Sequence, residues 1–227
     1  MRLVLFDIDG TLLSTGRAGA DALLRALAET YGTTGPIERW SFGGKTDPQI
    51  VWELMTEAGV DPVVVEARFD AVIDRYLAHL EARMDPARIK LKPGVTPLLE
   101  ALAAHPGVVL GLLTGNVVAG AELKLRSAGL WSYFTLGAYG SDHRHREHLP
   151  AIAASRAEEL TGRRFAGKEI VIIGDTPNDV LCGRGLGCKA IAVATGSYGR
   201  DDLAAHDPDY CFADLSDTPA VVGAILA

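Results

Sequence analysis

"LVLFDIDGT", residues 3–11, sets four apolar residues in an unbroken row against two aspartates two positions apart, then a glycine and a threonine. A short run without polar alternation reads as a strand buried on both faces, the kind found in a parallel sheet covered by helices. In open parallel sheets ligands bind in the crevice beyond the carboxyl ends of the strands. Asp7, Asp9, Gly10 and Thr11 stand at such an end and are the first candidates for a functional site.

The same arrangement returns along the chain. "VVLGLL" (108–113) runs into Thr114, Gly115 and Asn116, and "IVII" (170–173) runs into Gly174, Asp175 and, four residues on, Asp179. "AIAV" (190–193) is a fourth strand, and weaker ones are expected near 133–136 and 210–212. Helical periodicity covers 18–31, 48–58, 63–83, 97–104, 118–128 and 149–160. Strands alternating with helices predict an α/β fold with a doubly wound, Rossmann-like parallel sheet. About a hundred residues separate the first two strands, far more than a simple crossover needs. That interval carries three helical segments and no convincing strand. The expected division is therefore a core of 1–14 and 91–227 with an all-α insert over 15–90, the chain returning through "LKPGVTP" (91–97).

Length and composition set outer limits. The 227 residues suffice for a large core, and the 48 % hydrophobic content is that of a globular chain. A net charge of −7 argues against a general nucleic-acid binder, and no apolar run approaches the ~20 residues that span a bilayer. The N-terminal apolar run, broken by Asp7 and Asp9, does not read as a signal peptide. Cys182, Cys188 and Cys211 show no CxxC spacing and are expected to be reduced thiols in a cytoplasmic protein, a monomer or homodimer.

Asp7, Asp9, Thr114, Asn116, Asp175 and Asp179 could converge at one sheet edge although they lie far apart in sequence. Strands often end in turn formers, so any one of these endings alone would be unremarkable. Convergent carboxylates repel one another and need a cation, and a set of hard oxygen ligands selects Mg²⁺ over zinc. Magnesium held by few carboxylates usually serves to bind phosphate, while Gly10, Gly115 and Gly174 leave room for backbone N–H groups to approach an anion. The pattern points to phosphoryl transfer.

"FDIDGTLL", "LLTGN" and "VIIGDTPNDV", in that order, resemble the signature motifs of the haloacid dehalogenase superfamily of phosphohydrolases, closest to its phosphoglycolate-phosphatase-like branch. The helical insert resembles that branch's small α-helical cap. The resemblance implies a nucleophilic Asp7, an acid–base Asp9, and magnesium on Asp7, the Asp9 backbone carbonyl and Asp175, with Asp179 behind them. Thr114, with Gly10, Thr11, Gly115, Asn116 and nearby amides, would grip the phosphate of a small phosphorylated metabolite. The family also places a fixed cation, usually lysine, between the second and last motifs, where this chain has no lysine from 125 to 167. Arg146, in "DHRHREH" (142–148) before a helix start, is the expected substitute, with Arg144 in reserve. The three histidines of that stretch lack zinc-ligand spacing and read as solvated.

"GGKTD" (43–47) contains GKT but lacks the earlier glycine of a P-loop, position 39 being arginine. By its likeness to the family's cap loop, Lys45 and Thr46 would contact the substrate beyond its phosphate, a plain turn being the competing reading. Trp40 adjoins that loop and is the tryptophan nearest any ligand. A phosphosugar mutase and a non-catalytic sensor on the same fold are the alternatives to a phosphatase. A dehalogenase is disfavoured because it has no use for Asp9.

Overall fold

The computed structural model describes all 227 residues. Strands β1 (Arg2–Phe6), β4 (Val108–Leu113), β5 (Leu136–Ala138), β6 (Ile170–Gly174), β7 (Lys189–Val193) and β8 (Tyr210–Phe212) form one sheet in the order β5-β4-β1-β6-β7-β8. Every pairing in it is parallel. The first strand is thus central, and the chain winds outward from it in both directions, as the doubly wound expectation required.

Alternation along β1 explains its uniform apolarity. Val4 and Phe6 face a layer formed by helices α5 (Val95–Ala103), α6 (Val118–Ser127) and α10 (Thr218–Leu226). Leu3 and Leu5 face the other layer, where Leu149, Ala153 and Ala157 of α7 (Leu149–Thr161) pack. Successive side chains of a strand point to opposite faces, so a strand covered on both sides has no polar position.

The insert contains α1 (Ala18–Tyr31), α2 (Asp47–Glu57), α3 (Pro62–Ala67) and α4 (Phe69–Glu81) around a separate core that includes Leu27, Leu54 and Tyr76. The helix expected over 63–83 is therefore two. Arg68 leaves helical geometry at the junction, and its guanidinium donates to the Thr30 carbonyl at 2.9 Å. A single-residue break leaves the hydrophobic period almost unshifted, so periodicity does not register it. Two short strands, β2 (Leu13–Ser14) and β3 (Lys90–Leu91), pair antiparallel where the chain enters and leaves the insert. Neither was expected, being too short for any alternation to show.

The strand expected near 133–136 is displaced to β5, with residues 131–133 forming a single 3₁₀ turn instead. Pairing with β4 fixes the register, Leu136 lying beside Gly111, while Trp131 and Tyr133 pack against the core from outside the sheet. Three helices not assigned by periodicity, α8 (Pro177–Cys182), α9 (Arg200–Ala204) and α10, complete the core. No helix is long and apolar enough to cross a membrane, and all three cysteines are free.

Candidate active site

The ladder continues one residue past the ends of β1 and β4, which fixes the side chains that follow. Asp7 N–H donates to the Ile173 carbonyl at 3.0 Å, and Thr114 N–H donates to that of Ala138 at 3.0 Å. The carboxyl edges of β4, β1 and β6 thereby present Thr114, Asp7 and Asp175 side by side, all three buried. Gly10 (φ 94°) turns the chain back over this edge, and a Cβ there would fall 2.3 Å from an Asp175 carboxylate oxygen.

One half of the site is a buried charge cluster. Asp7, Asp175 and Asp179 bring one carboxylate oxygen each within 4.8 Å of one another. Arg146, 4 % exposed, reaches Asp7 at 3.1 Å and also bonds Asp179 and the Leu113 carbonyl. Three acids against one cation leave an excess of negative charge in a desolvated place. Burial, then repulsion by Asp179 and Asp7, pushes Asp175 up to about 8. Burial also raises Asp7, to about 6, although Arg146 opposes the shift. Arg146 itself is raised, because Asp179 and Asp7 outweigh the burial that disfavours its charge. The donor set is all oxygen and over-negative, which fits a hard divalent cation such as magnesium.

The other half centres on Asp9, whose side chain is 42 % exposed. Its Oδ2 accepts from Asn116 Nδ2 at 2.8 Å and from Lys124 Nζ at 2.6 Å. Lys124 also donates to Asn116 Oδ1 at 2.6 Å, and Asn116 Nδ2 reaches Thr114 Oγ1 at 2.8 Å. Asn116 and Lys124, braced by Thr114 and by each other, thus hold one carboxylate at the edge of the cavity. Lys124 escaped the sequence reading, which sought the cation only after it. One signal was available: Lys124 stands one helical turn from Ala121, on the face that α6 buries.

Several expected ligands serve the protein instead. Thr11 is fully buried and donates to Asp175 Oδ1 at 2.8 Å, so it positions that acid and has no hydroxyl to offer a phosphate. Thr46 is also fully buried; it caps α2 by accepting from Gln49 N–H and donates to the Arg144 carbonyl. It does not face the cavity. Lys45 does, but its Nζ is 2.6 Å from Glu53 and lies over the Trp40 ring. Trp40 itself is absent from the wall, where Phe42 stands. Arg144 lies on Trp52 and bonds Glu66 on the insert, leaving Arg146 as the arginine at the acids. His143, His145 and His148 stay outside the site.

A cavity of about 480 Å³ between insert and core joins the two halves. The insert closes over it at Gly115, where a Cβ would meet the Lys45 carbonyl at 2.1 Å. Asp47, the first residue of α2, is buried and accepts from Val117 N–H at 2.9 Å, tying the "GGKTD" loop to α6. A parallel α/β core with acids at the central strand edge thus lies beneath a roof of helices.

The sequence pattern of the haloacid dehalogenase-like hydrolases matches residues 4–193, and the chain belongs to that family. Among its relatives, the probable phosphatase IndB of Dickeya dadantii is 29 % identical across 99 % of this chain and 94 % of that protein. The phosphoglycolate phosphatase of Photorhabdus laumondii is 25 % identical, with 98 % and 93 % covered. A hydrolase structure from Pseudomonas syringae superposes with a TM-score of 0.74 over 98 % of each chain at 18 % identity, a likeness of fold.

Proposed function

We propose that this hydrolase is a magnesium-dependent phosphatase that cleaves a small-molecule phosphate monoester through a phosphorylated Asp7. The observation that carries it is the placement of Asp7 at the central strand end, buried and 3.1 Å from Arg146, with Asp9 on the open side of the same cavity.

A nucleophilic carboxylate must be ionised, and the Arg146 guanidinium favours that form against burial. One Asp7 oxygen attacks phosphorus as the bond to the ester oxygen breaks. Asp9 gives its proton to the departing alkoxide, and the phosphorylated Asp7 divides a difficult displacement into two easier ones. In the second half Asp9 takes a proton from water, whose oxygen attacks phosphorus and breaks the Asp7–phosphorus bond. Inorganic phosphate leaves, with Asp7 again a carboxylate and Asp9 again carrying its proton. Thr114 and Asn116 at the end of β4 stand on the wall where the transferring group would lie.

Asp7, Asp175 and the Asp9 backbone carbonyl would hold the magnesium ion, with Asp179 beside them tied to Arg146 and Thr176. When bound, its charge offsets that of the transferring phosphoryl group. The insert would exclude bulk water from the phosphorylated carboxylate. Relatives whose names describe phosphatases support the same chemistry.

Phosphate release from nitrophenyl phosphate, measured with magnesium and with EDTA, tests the reading. Release by the wild type that EDTA abolishes and Asp7→Asn reduces by at least ~10³-fold is expected. Release that survives Asp7→Asn would overturn it.

A further inference from the structure

The wall of the cavity on the Asp9 side carries two polar groups that the mechanism above does not use. Asp47 is 9 % exposed, and only one of its oxygens is occupied: Oδ2 accepts from Val117 N–H, while Oδ1 has no partner in the protein. Tyr76 of α4 is 1 % exposed, yet its hydroxyl makes no hydrogen bond in the protein. Both residues line the cavity. Their place in it is defined by the neighbours of Asp9: Val117, which Asp47 holds, follows Asn116, which holds Asp9. The Tyr76 hydroxyl is seated between Gly19 of α1 and Gly120 of α6, and Gly19 also borders Lys124. Asp9 faces the leaving group, so these two groups face whatever the phosphate is attached to.

Both atoms open on the cavity and neither is satisfied within the protein, so two polar groups on one wall are free to bond a ligand there. The cations lining the cavity show what that ligand is not. Lys124 is bound to Asp9, Lys45 to Glu53, and Lys92 to the Thr195 carbonyl at 2.6 Å. Arg17 is exposed and bridges Asp21. A leaving group bearing its own carboxylate would meet the free Asp47 oxygen at close range, on the wall where Lys124 is already paired with Asp9. A hydroxyl, by contrast, donates to a carboxylate and both donates to and accepts from a phenol. Burial raises Asp47 to about 6, leaving it an anionic acceptor near neutral pH.

Resting on the phosphatase reading, we infer that Asp47 and Tyr76 form a leaving-group subsite that selects phosphate esters of polyhydroxylated alcohols over esters of hydroxy acids. A sugar or polyol phosphate is the class of substrate that uses both unpartnered groups. The cavity is of a size that small ligands occupy.

The test compares kcat/KM for four esters: a hexose phosphate, glycerol phosphate, phosphoglycolate and nitrophenyl phosphate. The wild type should prefer the better of the two polyol esters to phosphoglycolate by about tenfold or more, the worth of one or two hydrogen bonds to a charged group. Asp47→Asn keeps an oxygen for Val117 and turns a donor toward the cavity, so the ratio of polyol ester to phosphoglycolate should fall at least about tenfold. Tyr76→Phe keeps the packing and should lower the ratio of polyol ester to nitrophenyl phosphate by about three- to tenfold. If Asp47→Asn does not fold, the phenylalanine variant still decides the matter. A wild type that favours phosphoglycolate, or ratios unmoved in the folded variants, overturns the subsite while leaving the phosphatase intact. Release from none of the four overturns both.

Discussion

Lys124 Nζ stands 2.6 Å from Asp9 Oδ2, with its side chain only 4 % exposed. The ammonium fixes where the Asp9 carboxylate lies and is itself shared with Asn116. Lys124→Met keeps the length and apolar stem but releases Asp9. The expected result is a fall in kcat on nitrophenyl phosphate of about 10–100-fold with little change in KM. An unchanged kcat would reduce Lys124 to a packing residue.

Arg146 is the cation among the three buried acids, bonded to Asp7 and Asp179. Removing one member of a buried ion cluster leaves uncompensated charge, at a cost of about 3–5 kcal/mol. Arg146→Ala should lower the melting temperature by roughly 10 °C in EDTA. Arg146→Lys, which returns the charge without the planar fork, should recover part of that loss. Thermal denaturation of the two variants side by side settles it.

Magnesium should stabilise the folded chain even without substrate, because an ion that binds only the native state adds stability by mass action. At a hundredfold excess over its dissociation constant the gain is about 2.7 kcal/mol. Asp175→Asn removes a donor from the cluster and should abolish the magnesium-induced rise in melting temperature. A rise equal to that of the wild type would place the ion elsewhere.

Outside the cavity wall, Asp142 takes two bonds from Arg156, at 2.6 and 2.8 Å, and one from Tyr139 N–H. Partial burial raises its pKa, but these donors outweigh it and the net shift is downward from 3.8. A depressed carboxylate contributes fully above its unfolded pKa and loses that contribution as pH falls through the folded value. Stability measured from neutral pH downward should therefore fall less steeply in Asp142→Asn than in the wild type, by about 1 kcal/mol over the acid limb. Parallel acid limbs would show that the bridge is energetically idle.

The sheet was legible because the inner strands carry short apolar runs, three of which, in β1, β4 and β6, lead into small polar or acidic residues, a pattern that burial on two faces produces directly. Asp7, Thr114 and Asp175 stand at strand ends that the same pattern marks, whereas Arg146 was sought only through the resemblance to the family. Residues that act by reaching across elements were not legible. Lys124 binds Asp9 across 115 positions of sequence, and Tyr76 approaches the core from a different layer. Thr11 and Thr46 carried the right chemistry for a ligand, yet the fold spends their hydroxyls on Asp175 and on the Arg144 carbonyl. Composition can mark a hydroxyl but not what it will face.

Leu13 and Leu91 sit opposite each other in the two-residue ladder where the chain departs for the helical insert and comes back. The two ends of the insert are therefore as close as the ends of a hairpin. A roof attached in this way can be lengthened, trimmed or exchanged without stretching the floor beneath it. Variation in what the enzyme admits can accumulate above the ladder while the acids below it stay in register, a separation of recipient and reagent written into one pair of leucines.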